Sequence, residues 1–327
     1  PPPPPPPPPP LLFYTPTRAY EIASCLVGSE MCIRDRYGGL GMTLADAVPI
    51  VESMGRHLMG SPYVATTLAA QALITSGSEE QKTHWLGEIA AGAPGSLALT
   101  EEDGNWRLQE ITATATANGD ALTLAGTKCF VLDAAQAKVV VASVMLDGVA
   151  RLLLIQNDQI PSGALAREVV IDETRRSYTL QLDGISVSQS QLLDGADFAA
   201  LEQAAMLLLV AEMSGGLAGV LHVIVDYLTT RKQFDQYIGS YQSLKHPSVQ
   251  ILLSMEACRS HLYHAATVMA AGNTDAAEEA VRMAKAQGSE AFAFAGDRAV
   301  QFHGGFGFTY ECDAQLYLRR ALWCQYQ

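Results

Sequence analysis

The stretch Arg231–Gln242, RKQFDQYIGSYQ, interrupts two long apolar helical runs. Arg231 offers a rigid fork of donors suited to a phosphate or pyrophosphate. Phe234 offers a face to a planar ring. Gln233 and Gln242 can donate and accept at once, which suits the edge of a heteroaromatic ring. The competing reading is a polar turn between helices, because connections usually look like this.

The run before it, 206–228, is long and apolar enough to be mistaken for a membrane span. It carries Glu212, Ser214, His222 and Asp226, and charges near mid-bilayer are costly. It reads as a buried helix. The runs that follow are rich in Ala and Gly, which lets helices approach closely. Apolar residues on all sides imply a helix bundle or an oligomer interface.

Upstream, residues 95–196 change character. Short runs of Val, Ile, Leu and Thr are punctuated by Asn118-Gly119, Asp147-Gly148 and Asp183-Gly184, each read as a hairpin. About seven strands predict a small antiparallel sandwich or barrel. Residues 37–94 read as helical, with Thr43 as an N-cap and Ser78 with Gln81 as a capping box. Residues 1–36 open with ten prolines and continue without helical or strand periodicity. They read as a disordered or artefactual leader, similar to a translated sequencing adapter. The expected fold is α+β multi-domain: a partial N-terminal helical domain (37–94), a β domain (95–196) and a C-terminal four-helix bundle (197–327).

Composition narrows the function. The 327-residue chain is 49 % apolar with a net charge of −13. That argues against nucleic acid and against an anionic membrane surface. The six cysteines form no C-x-x-C pair, so neither a metal site nor a disulfide framework is expected. No secretory signal is visible.

Four motifs lie in order along the chain. Residues 97–104, LALTEEDG, resemble A-x-T-E-P-x-A-G-S-D. Residues 126–132, GTKCFVL, resemble G-x-K-x-W-I-S/T. The opening stretch resembles R-x-Q-F-G-x-x-I-x-x-F-Q, with Asp235 in the Gly place and Tyr241 in the Phe place. Residues 301–309, QFHGGFGFT, resemble Q-x-x-G-G-x-G-Y/F-T. Together they resemble the acyl-CoA dehydrogenase family over residues 37–327. The resemblance implies FAD. Leu99, Thr100, Phe130 and Val131 would lie at the flavin ring. Arg231, Gln233, Phe234, Gln242, Gln301, Gly304 and Gly305 would bind the adenine-pyrophosphate part, largely of a neighbouring subunit's FAD. Leu132 stands where the family has a hydroxyl residue near the reactive flavin nitrogen. No G-x-G-x-x-G fingerprint is present.

The implied reaction is α,β-dehydrogenation of an acyl-CoA to the trans-2-enoyl-CoA, with electrons passed to an electron-transfer flavoprotein. The implied assembly is a homotetramer or heteromer, with bacterial cytoplasm the expected compartment and mitochondrial matrix second. A carboxylate must remove the α proton. The family's usual Glu falls just past Gln327, and its second location falls at Ala205. Glu212, two turns further on, is the candidate base, since burial in an apolar helix should raise its pKa. Its competing role is a carboxylate paired with a neighbouring helix. The rival functions are a non-catalytic subunit of a heteromeric dehydrogenase and a flavin oxidase.

Overall fold

The computed structural model describes residues 32–272 and 274–327. The expected leader lies outside the described residues as far as 31. Of its remaining residues, Ile33 is fully buried in the core shared with Leu73, Leu86 and Ile89.

Helix α1 (Leu44–Arg56) starts on Thr43, which forms a reciprocal capping box with Asp46. Helix α2 (Tyr63–Ser76) is buried over most of its surface. Helix α3, residues 79–90, opens on the expected box: Gln81 N donates to Ser78 Oγ at 3.2 Å and Ser78 N to Gln81 Oε1 at 2.9 Å. A π-helical stretch, Lys82–Leu86, lies in its middle.

The β domain contains β1 (Gly95–Ala98), β2 (Thr114–Asn118), β3 (Ala121–Ala125), β4 (Thr127–Leu132), β5 (Val139–Leu146), β6 (Val149–Gln156), β7 (Leu165–Arg167), β8 (Ser177–Gln181) and β9 (Ser186–Ser188). They form a six-stranded and a three-stranded sheet around an aliphatic core that includes Leu122, Val140, Leu153 and Leu180. The Asn118-Gly119 and Asp147-Gly148 turns close hairpins, as expected. Asp183-Gly184 does not: β8 belongs to the small sheet and β9 to the large one, so this turn is a corner between sheets. The large sheet is also mixed, not purely antiparallel, because β1 and β2 pair parallel with β5.

The C-terminal bundle holds α4 (Phe198–Thr230), α5 (Gln242–Ala270), α6 (Thr274–His303) and α7 (Ala314–Tyr326). Helix α4 is long and apolar enough to cross a membrane, yet 67 % of its most apolar window is buried inside the protein. It is the axis of the bundle: α1, α5, α6 and α7 all pack on it. The α1–α4 contact is backbone to backbone. A Cβ on Gly215 would overlap Glu52 O, and one on Gly55 would overlap Glu212 O. Gly215→Ala should therefore destabilise the fold by about 1–3 kcal/mol or more, since neither helix can retreat without opening its other interfaces. Thermal unfolding of the variant checks this; an unchanged melting temperature would contradict the close packing.

Candidate active site

A cavity of 350 Å³ lies where the β domain meets the bundle. Its walls come from α2 (Val64, Leu68), β1 and the residues after it (Leu99, Thr100), β4 (Phe130, Leu132), α4 (Ala205, Met206, Leu209) and α7 (Trp323). The shape is suited to a flat ring: Trp106 stacks on Phe130 with centroids 6.0 Å apart, and Trp323 meets Phe130 edge-on at 6.0 Å. Aromatic faces and aliphatic walls are the usual lining of a cofactor pocket.

The two β segments are fixed by a buried polar network. Lys128 is fully buried, with Nζ 2.7 Å from Glu101 Oε1 and 2.9 Å from Ser143 Oγ. Glu101 also accepts from the backbone N–H of Thr112 at 2.8 Å and of Ala113 at 3.0 Å. Burial works to raise the Glu101 pKa but is outweighed by Lys128 and these hydrogen bonds, which bring it down to about 2. Because the folded value is depressed, this contribution to stability is present above the ordinary carboxylate range and is lost as pH falls towards 2. Lys128→Met leaves Glu101 buried and unpaired, and should cost about 3–5 kcal/mol in a urea titration.

Around that anchor, Thr100 Oγ1 donates to Cys129 O at 2.6 Å while Cys129 N donates to Thr100 O at 2.9 Å. The Thr100 hydroxyl has spent its proton and keeps lone pairs free to accept. Phe130 sits at a β-bulge with φ +56°, a left-handed conformation that is rare for a bulky residue. Its N–H is held by Glu168 Oε1 at 3.1 Å. Such strain is characteristic of functional positions, and here it turns the ring towards the cavity. Val131 follows the opposite course. Expected at the flavin ring, it is fully buried in the β-domain core and does not line the cavity, because alternation sends neighbouring side chains to opposite faces.

Glu212 requires the clearest correction. It lines the cavity, but it is neither unpaired nor raised in pKa. Its Oε1 accepts from Arg175 Nη2 and from Arg320 Nη1. Asp172 pairs with Arg320 Nε, and Thr174 Oγ1 accepts from Arg320 Nη2. Burial pushes the Glu212 pKa up, but the two guanidinium groups outweigh it and hold it below the ordinary value. Glu212 is an ion-pair anchor at the cavity wall. Arg175, Arg320 and Trp323 were not singled out by sequence; their partners are too distant in the chain for any spacing rule to reveal.

The remaining predicted residues lie at the other end of α4. Arg231, Gln233 and Phe234 form an exposed hairpin, β10 (Lys232–Gln233) and β11 (Gln236–Tyr237). Phe234 and Asp235 turn it with φ +54° and +60°. That explains the family's Gly at position 235, and Asp is among the residues that tolerate this conformation. Gln242, Gln301, Gly304 and Gly305 are exposed beside it. The two stretches share one end of the bundle, since Tyr227 on α4 stacks on His303 with centroids 4.1 Å apart. That end is far from the cavity: Arg231 stands about 28 Å beyond Glu212 along the helix. One chain therefore places a cavity beside the first half of α4 and an exposed polar hairpin beyond its C-terminal end.

Comparison with known proteins identifies the class. Residues 28–93 match the acyl-CoA dehydrogenase N-terminal domain and residues 200–325 the acyl-CoA dehydrogenase C-terminal domain. The acyl-CoA dehydrogenase FadE12 of Mycobacterium tuberculosis is 30 % identical over 296 residues, 85 % of this chain and 75 % of the relative. The acyl-CoA dehydrogenase IpdE2 of Mycolicibacterium smegmatis is 28 % identical over 311 residues, 95 % of this chain and 83 % of the relative. Among solved structures, the ChsE4–ChsE5 complex of M. tuberculosis superposes with a TM-score of 0.83 at 24 % identity, covering 93 % of this chain and 82 % of its own. The chain belongs to the acyl-CoA dehydrogenase family, a family of FAD-dependent oxidoreductases. The residues lining the cavity fit that cofactor: aromatic walls, a hydroxyl acceptor at Thr100 and a buried unpartnered guanidinium nitrogen on Arg175.

Proposed function

We propose that this protein dehydrogenates an acyl-CoA thioester between its α and β carbons, giving the trans-2-enoyl-CoA. The observation that carries this reading is the cavity between β domain and bundle, walled by Thr100, Phe130 and Trp323. Bound FAD would supply the hydride acceptor. Phe130 and Trp323 would hold its ring, Thr100 would accept from its pyrimidine edge, and the aliphatic walls from α2 and α4 would exclude water around the acyl chain. Arg231, Gln233, Phe234, Gln242, Gln301, Gly304 and Gly305 would hold the adenine-pyrophosphate part of a neighbouring copy's FAD.

The cavity's carboxylates among the described residues are Glu202 and Glu212. Glu202 is paired with Arg282 at 3.0 Å and Glu212 with two arginines. Both are held by arginine, so neither stands free as a general base, and Gln327 lines the same cavity. Oligomerisation is supported by α5, which exposes Val249, Leu252 and Leu253, an apolar patch that monomers rarely leave open. A bacterial cytoplasmic location accords with the bacterial relatives, and an electron-transfer flavoprotein is the proposed acceptor.

A second reading, a non-catalytic subunit of a heteromeric dehydrogenase, is favoured by the locked Glu212 and by Leu132, which has no hydroxyl. Incubating the FAD-loaded protein with acyl-CoA thioesters and a dye acceptor separates the possibilities. Enoyl-CoA detected by mass spectrometry together with dye reduction supports the dehydrogenase. Peroxide formed in preference to reduced dye supports an oxidase. Thioester binding without product supports the subunit.

A further inference from the structure

We propose that Arg175 donates a hydrogen bond to the reactive edge of the flavin ring, in place of the hydroxyl that Leu132 lacks. The inference rests on the flavoprotein reading above and assigns a cofactor contact to a residue outside every motif in the sequence.

Arg175 starts beside Leu132. In the β4–β8 pairing Leu132 is opposite Ser177, and Asp133 N donates to Arg176 O at 2.7 Å. Both Arg175 and Leu132 line the cavity. The Arg175 side chain is only 8 % exposed. Its Nη2 donates to Glu212, while Nε stands 3.8 Å from Asp172 Oδ2 and has no hydrogen-bond partner. An unsatisfied buried guanidinium N–H is costly, so each such group calls for a partner.

The chemistry of that partner follows from the charge count. Arg175 and Arg320 face Glu212 and Asp172, so the cluster is neutral. It does not call for a carboxylate or phosphate. It offers a directed donor to an uncharged acceptor, such as a ring nitrogen and its neighbouring carbonyl. Arg175 is also held in place from behind: its N–H donates to Asp172 O at 3.0 Å and its carbonyl accepts from Arg167 Nη2. Reduction adds electron density to the flavin edge, so a fixed guanidinium N–H stabilises reduced flavin more than oxidised.

The test uses FAD-loaded full-length protein with no acyl substrate: the visible flavin spectrum and the midpoint potential by dye equilibration. Arg175→Leu removes the donor and leaves Glu212 paired with Arg320. The expected result is about a tenfold shift of the reduced-to-oxidised ratio towards oxidised flavin, or about 30 mV for a two-electron couple. Adding Leu132→Thr to that variant should restore at least half of the shift. Asp172→Asn, which loosens the cluster without touching the cavity, should leave the potential within a third of that shift. An unchanged potential and spectrum in Arg175→Leu overturns the proposal, as does an equal shift in Asp172→Asn. If Arg175→Leu does not fold, Arg175→Lys carries the test, because Lys cannot both pair with Glu212 and reach the ring. A lowered potential there supports the assignment and an unchanged one overturns it. Failure of the wild type to retain FAD at all is a different result: it removes the flavoprotein reading, and this assignment with it.

Discussion

Arg320→Met is expected to destabilise the folded protein by about 3–5 kcal/mol, the largest single-residue effect outside the Lys128 network. Arg320 is fully buried and joins three elements at once: Glu212 on α4, Asp172 and Thr174 in the β-domain loop, and its own helix α7. Removing it leaves Asp172 with its hydrogen bonds from Thr174 N and Oγ1 and, as nearest cation, Arg175 at 3.8 Å. The acid limb gives a second readout. Burial raises the Asp172 and Glu212 pKa values, but the arginines outweigh it and both lie below ordinary carboxylates. Their contribution is therefore complete above the unfolded carboxylate range, about pH 4, and is lost as pH falls below it. Urea titrations between pH 7 and 3 should show wild-type stability falling through that window and a flatter profile for Arg320→Met. Equal stability at pH 7 would show that the cluster is not a structural hub.

Arg231→Ala should abolish FAD retention through gel filtration while leaving the fold intact. Arg231 is exposed at the end of α4 and carries no ion pair among the described residues, so truncating it should cost little stability. Losing charge-assisted hydrogen bonds to a pyrophosphate should cost about 1.5–3 kcal/mol of cofactor binding, roughly 10–100-fold in affinity. The separation of hairpin and cavity along α4 adds a sharper expectation. Co-refolding Arg231→Ala with a cavity variant such as Phe130→Asp should restore FAD to a fraction of sites, because one subunit supplies an intact hairpin and the other an intact cavity. No recovery on mixing would place both halves of the cofactor on one chain.

What could be read from sequence was local. The Ser78–Gln81 box, the two hairpins and the apolar core helix each follow from residues a few positions apart. Four features were not legible, for one physical reason. The parallel β1–β5 pairing joins Gly95 to Val139 with no turn between them to signal it. The Asp183-Gly184 turn has hairpin chemistry, but its flanking strands enter different sheets. Glu212 was read from its own helix, where an isolated carboxylate should have a raised pKa; its partners lie 37 and 108 residues away. Phe130 was found by motif, but its aim at the cavity comes from a bulge and a left-handed backbone that no periodicity encodes. Sequence thus brought Thr100, Phe130 and Glu212 to notice, while the charges around them depended on tertiary contacts.

In the proposed reaction acyl-CoA and flavin meet in the cavity between Phe130, Thr100 and Trp323, and the flavin takes the hydride there. Anaerobic mixing of the FAD-loaded protein with a panel of saturated acyl-CoA thioesters, following the oxidised flavin band, tests this. Bleaching by at least one thioester, with one enoyl-CoA formed per flavin reduced, is the predicted result. Thioesters that bind while the flavin stays oxidised throughout would contradict the claim and leave a cofactor-binding subunit in place of an enzyme.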